Sequence, residues 1–517
     1  MWVKKFLTKP FVLLFFSAVL SALPLTFSGL FLLSWISFVP LFYVITNNND
    51  DKLRYAVGRG FLFGFIYHVC IYYWFLWFYP LDYASLTKDA SVAVVVLAWL
   101  GISLVHGALW CIPFVCCHFA KKITNNKCFL SLLTILGVIA AQKITGFGEL
   151  SFPWTRVSLG QYKATALIQS VAIFGTDGID IIILAVNALV TLAVISNNKR
   201  RIAAFCTAAA IFAVNLGFGL IRLNTTEKSD SLTIMTVQAS VEQNEKWSSK
   251  GDAICFEKYS SLTKENMKDN VDLILWPESA VPKIYKNAGA LKQYKNLSKE
   301  LDTPLLAGII LRTAEGNTNN AVLIDKNAVN CIYTKRQMVP FGEYMPYKSV
   351  LSKLFPMLTE LNIVEDDYVS GGDSKIMSVK GGKLGNIICF ESIYPDLTRQ
   401  SVLDGAELMV EVTNDSWLET SPAMYQHLAH GVFRSIENGR YLIRSANSGI
   451  SAVIDNRGNI KSTLPINKQG VITDTVYFTD KQTFYTKTGD ILFPSLSLTA
   501  LIWLIVLIIK KIKTVNR

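Results

Sequence analysis

Cys389 closes the stretch GNIIC, and its setting makes it the first candidate for a nucleophile. Ile387 and Ile388 read as the end of a buried strand. A strand that stops at a cysteine presents the sulfur at its carboxyl end, where open α/β sheets place their sites. A thiol attacks as thiolate, so it needs a base and a cation close by. Glu278 in LILWPES and Lys335 in YTKRQMVPFGEY are the candidates, each following a strand-like run. Groups at strand ends of one sheet can converge although they lie far apart in the chain. A carboxylate beside the thiol can take its proton; a lysine can hold the carboxylate, favour the thiolate and donate to an oxyanion. Glu343, later in the lysine's stretch, can position that lysine by pairing with it.

Metal chemistry fits the residue types less well. Cys255, Cys331 and Cys389 lie in the polar half of the chain without a CxxC pair, and the other six cysteines lie in or beside apolar segments. The nine cysteines therefore form no disulfide framework. His427 and His430 share a helix-like stretch but lack the carboxylate of an HExxH arrangement. Neither a metal nor another cofactor is expected.

The elements that must position these groups sit in an apolar chain. Of 517 residues, 51% are hydrophobic and only 17% charged, with mean hydropathy +0.34. A soluble domain carries about 25% charged residues, so membrane insertion is the leading expectation. Seven apolar segments, about 11–27, 29–46, 59–78, 92–118, 128–144, 177–196 and 202–222, precede the polar half, and an eighth, about 491–509, follows it. Each is near the length of about 20 residues that a crossing needs. The first runs into the second without a small-residue cleavage site, which predicts an uncleaved anchor. The net charge of +11 raises nucleic acid as a partner, but the charges lie in short clusters between apolar segments, so none is expected. Lys121, Lys122 and Lys127, then Lys199, Arg200 and Arg201, then Lys510, Lys511 and Lys513 fall on alternate loops. That alternation predicts both termini on the cytoplasmic side and the polar insert on the outer face. Residues 146–171, with Phe152, Pro153 and Trp154, are expected to lie in the membrane interface beside the insert. Asp177 and Asp180 are expected to face water there or to pair internally.

The chain thus divides into 1–227, a membrane domain with seven spans; 228–488, a polar catalytic domain; and 489–517, the eighth span and tail. In the polar unit, strand-like runs cover 232–238, 271–277, 304–310, 320–325, 383–390, 407–413 and 450–455. Helix-like stretches at 250–269 and 421–440 lie between them, which argues for an α/β or α+β layered sandwich.

The order of WPES, YTKRQMVPFGEY and GNIICFES resembles the carbon–nitrogen hydrolase (nitrilase) superfamily. With spans on both sides of the domain, the chain resembles the apolipoprotein N-acyltransferase family in particular. VQASVEQNEKW and TNDSWLETSPAMYQHLAHGVFRSIENGRYLIRSANSGIS add to the likeness, which covers essentially the whole chain. The resemblance implies a multispan α-helical membrane domain of eight transmembrane helices plus an α-β-β-α sandwich. It implies that Cys389 is the nucleophile, Glu278 the general base and acid, and Lys335 the oxyanion stabiliser. Glu343, Phe390, Glu391 and Trp247 match supporting or substrate-side positions, with the Phe390 N–H a candidate oxyanion donor. Three departures stand out. Phe390 replaces a common tyrosine, Ala239-Ser240-Val241-Glu242 replaces a Gly-Asn-Ile-Pro, and Leu418-Glu419 replaces a Phe-Gly.

The activity so implied is transfer of an acyl chain from a membrane phospholipid, with phosphatidylethanolamine expected. The chain passes through a cysteine thioester to the N-terminal amine of an S-diacylglyceryl-cysteine apolipoprotein. A monomer in the bacterial inner membrane with a periplasmic catalytic domain is expected. A membrane-tethered amidase or nitrilase-type hydrolase, and an inactive scaffold or transporter, remain as alternatives. The apolar stretch 355–364 is a candidate lid over the site.

Overall fold

The computed structural model describes residues 9–47, 52–81, 86–225, 230–354, 367–418 and 420–515. The lid candidate 355–364 lies outside them, as does Glu419.

Among the described residues, seven helices are long and apolar enough to cross a membrane: Ser28–Asn47, Leu53–Phe78, Lys88–Lys121, Lys127–Ile144, Val171–Ile195, Asn198–Leu223 and Leu492–Thr514. The first expected span is a shorter apolar helix, Pro10–Thr26, so the count of eight is corrected to seven full-length candidates and one short helix. At 1.5 Å per residue, its 17 residues reach roughly 25 Å, less than the hydrocarbon thickness of about 30 Å. Val171–Ile195 and Lys127–Ile144 are the most buried and form the middle of the bundle. Leu492–Thr514, almost uncovered by protein, packs on its rim.

The polar unit is two stacked sheets. Among the described residues thirteen strands run in chain order: β1 Ser231–Gln238, β2 Leu273–Trp276, β3 Ile284–Tyr285, β4 Leu305–Arg312, β5 Asn317–Asp325, β6 Ala328–Thr334, β7 Met377–Val379, β8 Gly382–Ile388, β9 Leu408–Thr413, β10 Leu442–Ala446, β11 Ala452–Ile454, β12 Ile460–Thr463 and β13 Gly470–Tyr477. One sheet has the order β13-β1-β2-β4-β5-β6 with β3 on β4; the other is β12-β11-β10-β9-β8-β7. In each, the central strands are parallel (β1, β2 and β4; β8, β9 and β10) and antiparallel strands flank them. All seven strand-like runs of the sequence fall on strands, as does the run before Lys335. β3, β7, β10, β12 and β13 escaped notice because they are short or interrupted by polar residues.

Period-two alternation decides what each strand face touches. Leu232 and Ile234 of β1 meet Leu408, Val410 and Val412 of β9 between the sheets. Met235 and Val237 point the other way, onto the helices Gly251–Glu265 and Lys292–Glu300 through Cys255, Tyr259, Tyr294 and Leu297. The second sheet is covered by Pro395–Leu403 and Ala423–Asn438, completing the α-β-β-α order. That last layer shares one apolar core with the membrane helices, running from Leu14 to Met424, Val432 and Ala500.

Within the segment 146–171, Phe147 and Leu150 are exposed and the residues from Ser151 to Tyr162 turn inward. Trp154 is buried, donates through Nε1 to Gln426 Oε1 at 2.7 Å, and stacks on Phe152. Polar partners from both units draw it inward, so it wedges the membrane helices to the sandwich. Asp177 pairs with Arg156 at 2.6 Å and with Lys143, and Asp180 accepts from the Ser158 N–H. Both aspartates pair internally.

Candidate active site

Cys389, Glu278 and Lys335 each lie just past the carboxyl end of a strand: β8, β2 and β6. The strand ends gather at one edge of the sandwich, and the three groups meet there. Cys389 leaves β8 with φ 52°, a left-handed backbone that a residue with a Cβ adopts at a cost of about 1–3 kcal/mol. The turn lifts the residue off the strand into the short helical segment Cys389–Ile393. Ser279, after Glu278, is also left-handed at φ 46°.

Hydrogen bonds fix Glu278, Lys335 and Glu343. Lys335 Nζ lies 3.1 Å from Glu278 Oε1 and 2.8 Å from Glu343 Oε1, so it bridges two carboxylates. Asn319 Nδ2 donates to the same two oxygens, at 2.7 and 3.1 Å. The Asn414 N–H donates to the other Glu278 oxygen at 2.8 Å, and the Val339 N–H to the second Glu343 oxygen at 2.9 Å. Glu278 is thereby held from three elements while Lys335 stays 1% exposed.

Burial opposes the Lys335 charge, but Glu278 and Glu343 outweigh it and hold the ammonium above the usual lysine range. Burial, then the Glu278 charge, push the Cys389 thiol above the usual cysteine range, against the pull of Lys335. The Cys389 sulfur thus sits among the Glu278 and Lys335 side chains, which pull its pKa in opposite directions.

Glu391 ties the cysteine turn to the lysine turn. One carboxylate oxygen accepts from the Ile388 N–H and the Tyr333 hydroxyl, both at 2.7 Å. The other accepts from the N–H groups of Arg336 at 2.6 Å and Gln337 at 3.2 Å. Phe390 points the opposite way, toward the membrane helices, and stacks on Phe152 with centroids 5.7 Å apart. Trp247, expected on the substrate side, lies on the surface after the short helix Gln243–Lys246, 48% exposed. Its helix is tied to the Asn414 loop where Ser416 Oγ donates to Gln243 Oε1 at 2.8 Å.

Beneath Cys389 is a charged knot. His427 Nε2 lies 3.1 Å from the Cys389 carbonyl oxygen, a contact that a donating N–H satisfies. Its Nδ1 lies 2.9 Å from both Asp415 Oδ1 and Arg444 Nη2. Arg444 also pairs with Asp415 at 2.6 Å and with Glu411. Cys389, Asp415 and His427 offer donor atoms within 4.8 Å of one another. The Arg444 guanidinium, bonded into that group, puts a fixed positive charge where a cation would bind, so the donor set does not fit a metal.

The sequence reading did not single out Asn319. Its signal was Asn317-Thr318-Asn319-Asn320, four polar residues opening a strand in which all four are buried. A buried polar run in a strand needs partners, and here Glu278 and Glu343 are among them.

The surrounding chain has recognisable relatives. A family model described as carbon-nitrogen hydrolase matches residues 236–483, and one described as apolipoprotein N-acyltransferase N-terminal domain matches residues 17–189. The apolipoprotein N-acyltransferase of Geobacter metallireducens is 28% identical over 487 residues, 92% of this chain and 91% of that protein. Its namesake from Allorhizobium ampelinum is 29% identical over 478 residues, 88% and 87% of the two chains. That from Thermotoga maritima is 28% identical over 473 residues, 89% and 86% of the two. One family model falls on the helical bundle and the other on the sandwich, and the apolipoprotein N-acyltransferases that this chain resembles run through both.

Proposed function

We propose that this protein moves an acyl chain from a membrane phospholipid to the N-terminal amine of an S-diacylglyceryl-cysteine lipoprotein, through a thioester on Cys389. The observation that carries this reading is the cluster itself: Cys389 with Glu278, Lys335 and Glu343, on a domain whose helical layer is continuous with a membrane bundle. A hydrolase of soluble amides has no use for that bundle.

In the first step, the Cys389 proton passes to Glu278 as sulfur attacks the ester carbonyl carbon. Lys335 and the Phe390 N–H stabilise the oxyanion. Collapse breaks the C–O bond, and Glu278 returns the proton to the leaving lysophospholipid. In the second step, the lipoprotein amine attacks the thioester carbonyl and Glu278 takes a proton from it. Collapse breaks the C–S bond to give the amide, and that proton restores the Cys389 thiol. A raised thiol pKa suits this ping-pong order, because the proton leaves sulfur only when an acceptor and an electrophile are both in place. Glu343 and Asn319 hold Lys335 and Glu278 in register, and Glu391 holds the two turns together. Trp247 and the surface around it would contact the acceptor.

We assign residues 1–227 and 489–517 to the membrane unit and 228–488 to the catalytic unit. Orientation follows the lysines. Lys511 donates to the Lys122 carbonyl, and Lys127 Nζ to Asn47 Oδ1 at 2.6 Å, so several basic termini share one end of the bundle. Lys143 and Asp490 meet at the end beside the sandwich. By the positive-inside rule the first end is cytoplasmic and the catalytic unit periplasmic, in a bacterial inner membrane. Phosphatidylethanolamine is the donor we favour, and the enzyme acts as a monomer.

Intact mass spectrometry of the full chain incubated with phospholipid alone tests the reading. An added mass of one acyl chain, released by neutral hydroxylamine and absent in Cys389→Ala, is the expected result. Fatty acid accumulating without an adduct would instead indicate a hydrolase.

A further inference from the structure

Away from Cys389, a cleft of about 320 Å³ opens where the helix Pro10–Thr26 ends against the helix Ala423–Asn438. Its floor is apolar, with Leu25, Leu159 and Ala429, and its rim carries Phe27, Lys163 and Tyr425. The Lys163 ammonium lies 5.6 Å from the Tyr162 ring centroid and 5.9 Å from that of Tyr425. Two aromatic faces hold it, and among the described residues no carboxylate neutralises it. A cation so placed keeps its full attraction for an incoming anion.

The surroundings say what kind of anion. Phe16, Leu20 and Phe27 are each more than a third exposed, and their spacing puts Phe16 and Leu20 on one face leading to Phe27 at the mouth. That face belongs to an apolar helix of the membrane domain. An apolar track ending at an unneutralised ammonium matches an amphiphile with an anionic head and hydrocarbon chains. A soluble anion would leave the track unused.

We propose that this cleft is a second lipid site, which holds a phospholipid with its phosphate on Lys163 and its chains along Phe27, Leu20 and Phe16. It is separate from the nucleophile. The wall between them is Gln426, which accepts from Trp154 Nε1, and Trp154 lies with its ring 5.7 Å from that of His427, the partner of the Cys389 carbonyl. The cleft backs onto the machinery without opening into it.

The test uses the full chain in detergent micelles with a phosphatidylglycerol carrying a photoactivatable group in one acyl chain. Crosslinked peptides are mapped by mass spectrometry in the wild type and in Cys389→Ala. Labelling of residues 16–29 is expected in both. Lys163→Gln is expected to lower it about fivefold, the worth of one lysine at a lipid surface. Tyr425→Ala should weaken it too, and melting temperatures near the wild-type value will show that both variants fold. Absence of label at 16–29 in the wild type, or label unchanged in Lys163→Gln, overturns the proposal. Loss of label to an equal concentration of inorganic phosphate also overturns it, since the cleft would then be a soluble-anion site. Thioester formation on Cys389, read in the same wild-type sample, separates the two ideas: label without thioester sinks the acyl-transfer reading alone.

Discussion

Burial is the largest effect on both half-buried Cys389 and fully buried Lys246, and neighbouring charges act against or beside it. For Cys389 the sign of each neighbour is testable. Glu278 raises the thiol pKa and Lys335 lowers it. The midpoint of the pH dependence of Cys389 alkylation is therefore expected to fall in Glu278→Gln and to rise in Lys335→Met; movement in the reverse directions would refute the proposed charge arrangement. Lys246 is fully buried, and among the described residues its Nζ has no hydrogen-bond partner. Burial draws its pKa down to about 8 from the usual 10.5, against weaker opposing effects of Cys255 and Glu278. The unfolded chain then binds more protons than the folded one between those values, so stability rises with pH across that window. Below pH 8 the whole penalty applies, roughly 3 kcal/mol for a shift of this size. Lys246→Met is expected to raise the melting temperature at pH 7 and to flatten its rise between pH 8 and 10.5. A lower melting temperature at pH 7 would mean that the ammonium has an anionic partner when the protein is in its membrane.

At the scale of elements, the site depends on how closely β4 approaches the turn after β2. Gly308 donates to the Pro277 carbonyl at 3.1 Å and accepts from the Ala280 N–H at 3.1 Å, so the two backbones touch around Glu278. A Cβ on Gly308 would lie 2.4 Å from Glu278 Cα and from the Pro277 carbonyl oxygen. Both are backbone atoms and cannot rotate aside, so Gly308→Ala must part the strand from the turn and carry Glu278 with it. Thioester formation is expected to slow about 100-fold, the effect of displacing a catalytic group by about 1 Å. The stability cost should be smaller, about 1–3 kcal/mol. Wild-type kinetics in this variant would show that Glu278 tolerates displacement and is not the base.

Across the whole molecule, the helix Ala423–Asn438 belongs to both units. Nearly every residue is buried: one side packs on the second sheet, and the other meets Val171–Ile195 of the membrane bundle. A helix covered all round needs its polar groups paired, and they are. Glu437 accepts from the Thr176 N–H at 3.0 Å and its hydroxyl at 2.6 Å, and pairs with Arg434 at 2.7 Å. Arg434 reaches back to the Ser392 carbonyl, in the turn that Cys389 opens. Glu437→Ala leaves a buried guanidinium without its carboxylate, and a loss of about 3–5 kcal/mol is expected. Thermal unfolding in detergent, with a midpoint well below that of the wild type, is the check. An unchanged midpoint would mean that the two units are joined mainly by their apolar core.

The sequence by itself determined the pieces. Apolar runs near bilayer length marked the membrane helices, because no polar segment of that length can be stable in lipid. Cysteine, glutamate and lysine at the ends of strand-like runs marked the site, because strand direction alone puts a terminal side chain at the sheet edge. Glu343 beside Lys335 was legible for the same reason. What only the tertiary structure decided depends on contacts between distant stretches. The length of the first helix turned on where its last residues turn away at Phe27, and Trp154 went inward because Gln426, over two hundred residues later, offers an acceptor. Asn319 reaches Glu278 and Glu343 only through pairing of β5 with β4 and β6, and the half-exposed position of Trp247 is set by where its short helix ends. Hydrophobic period and strand ends are local properties of a chain, whereas the partner of a buried polar group is chosen by packing, which no local stretch contains.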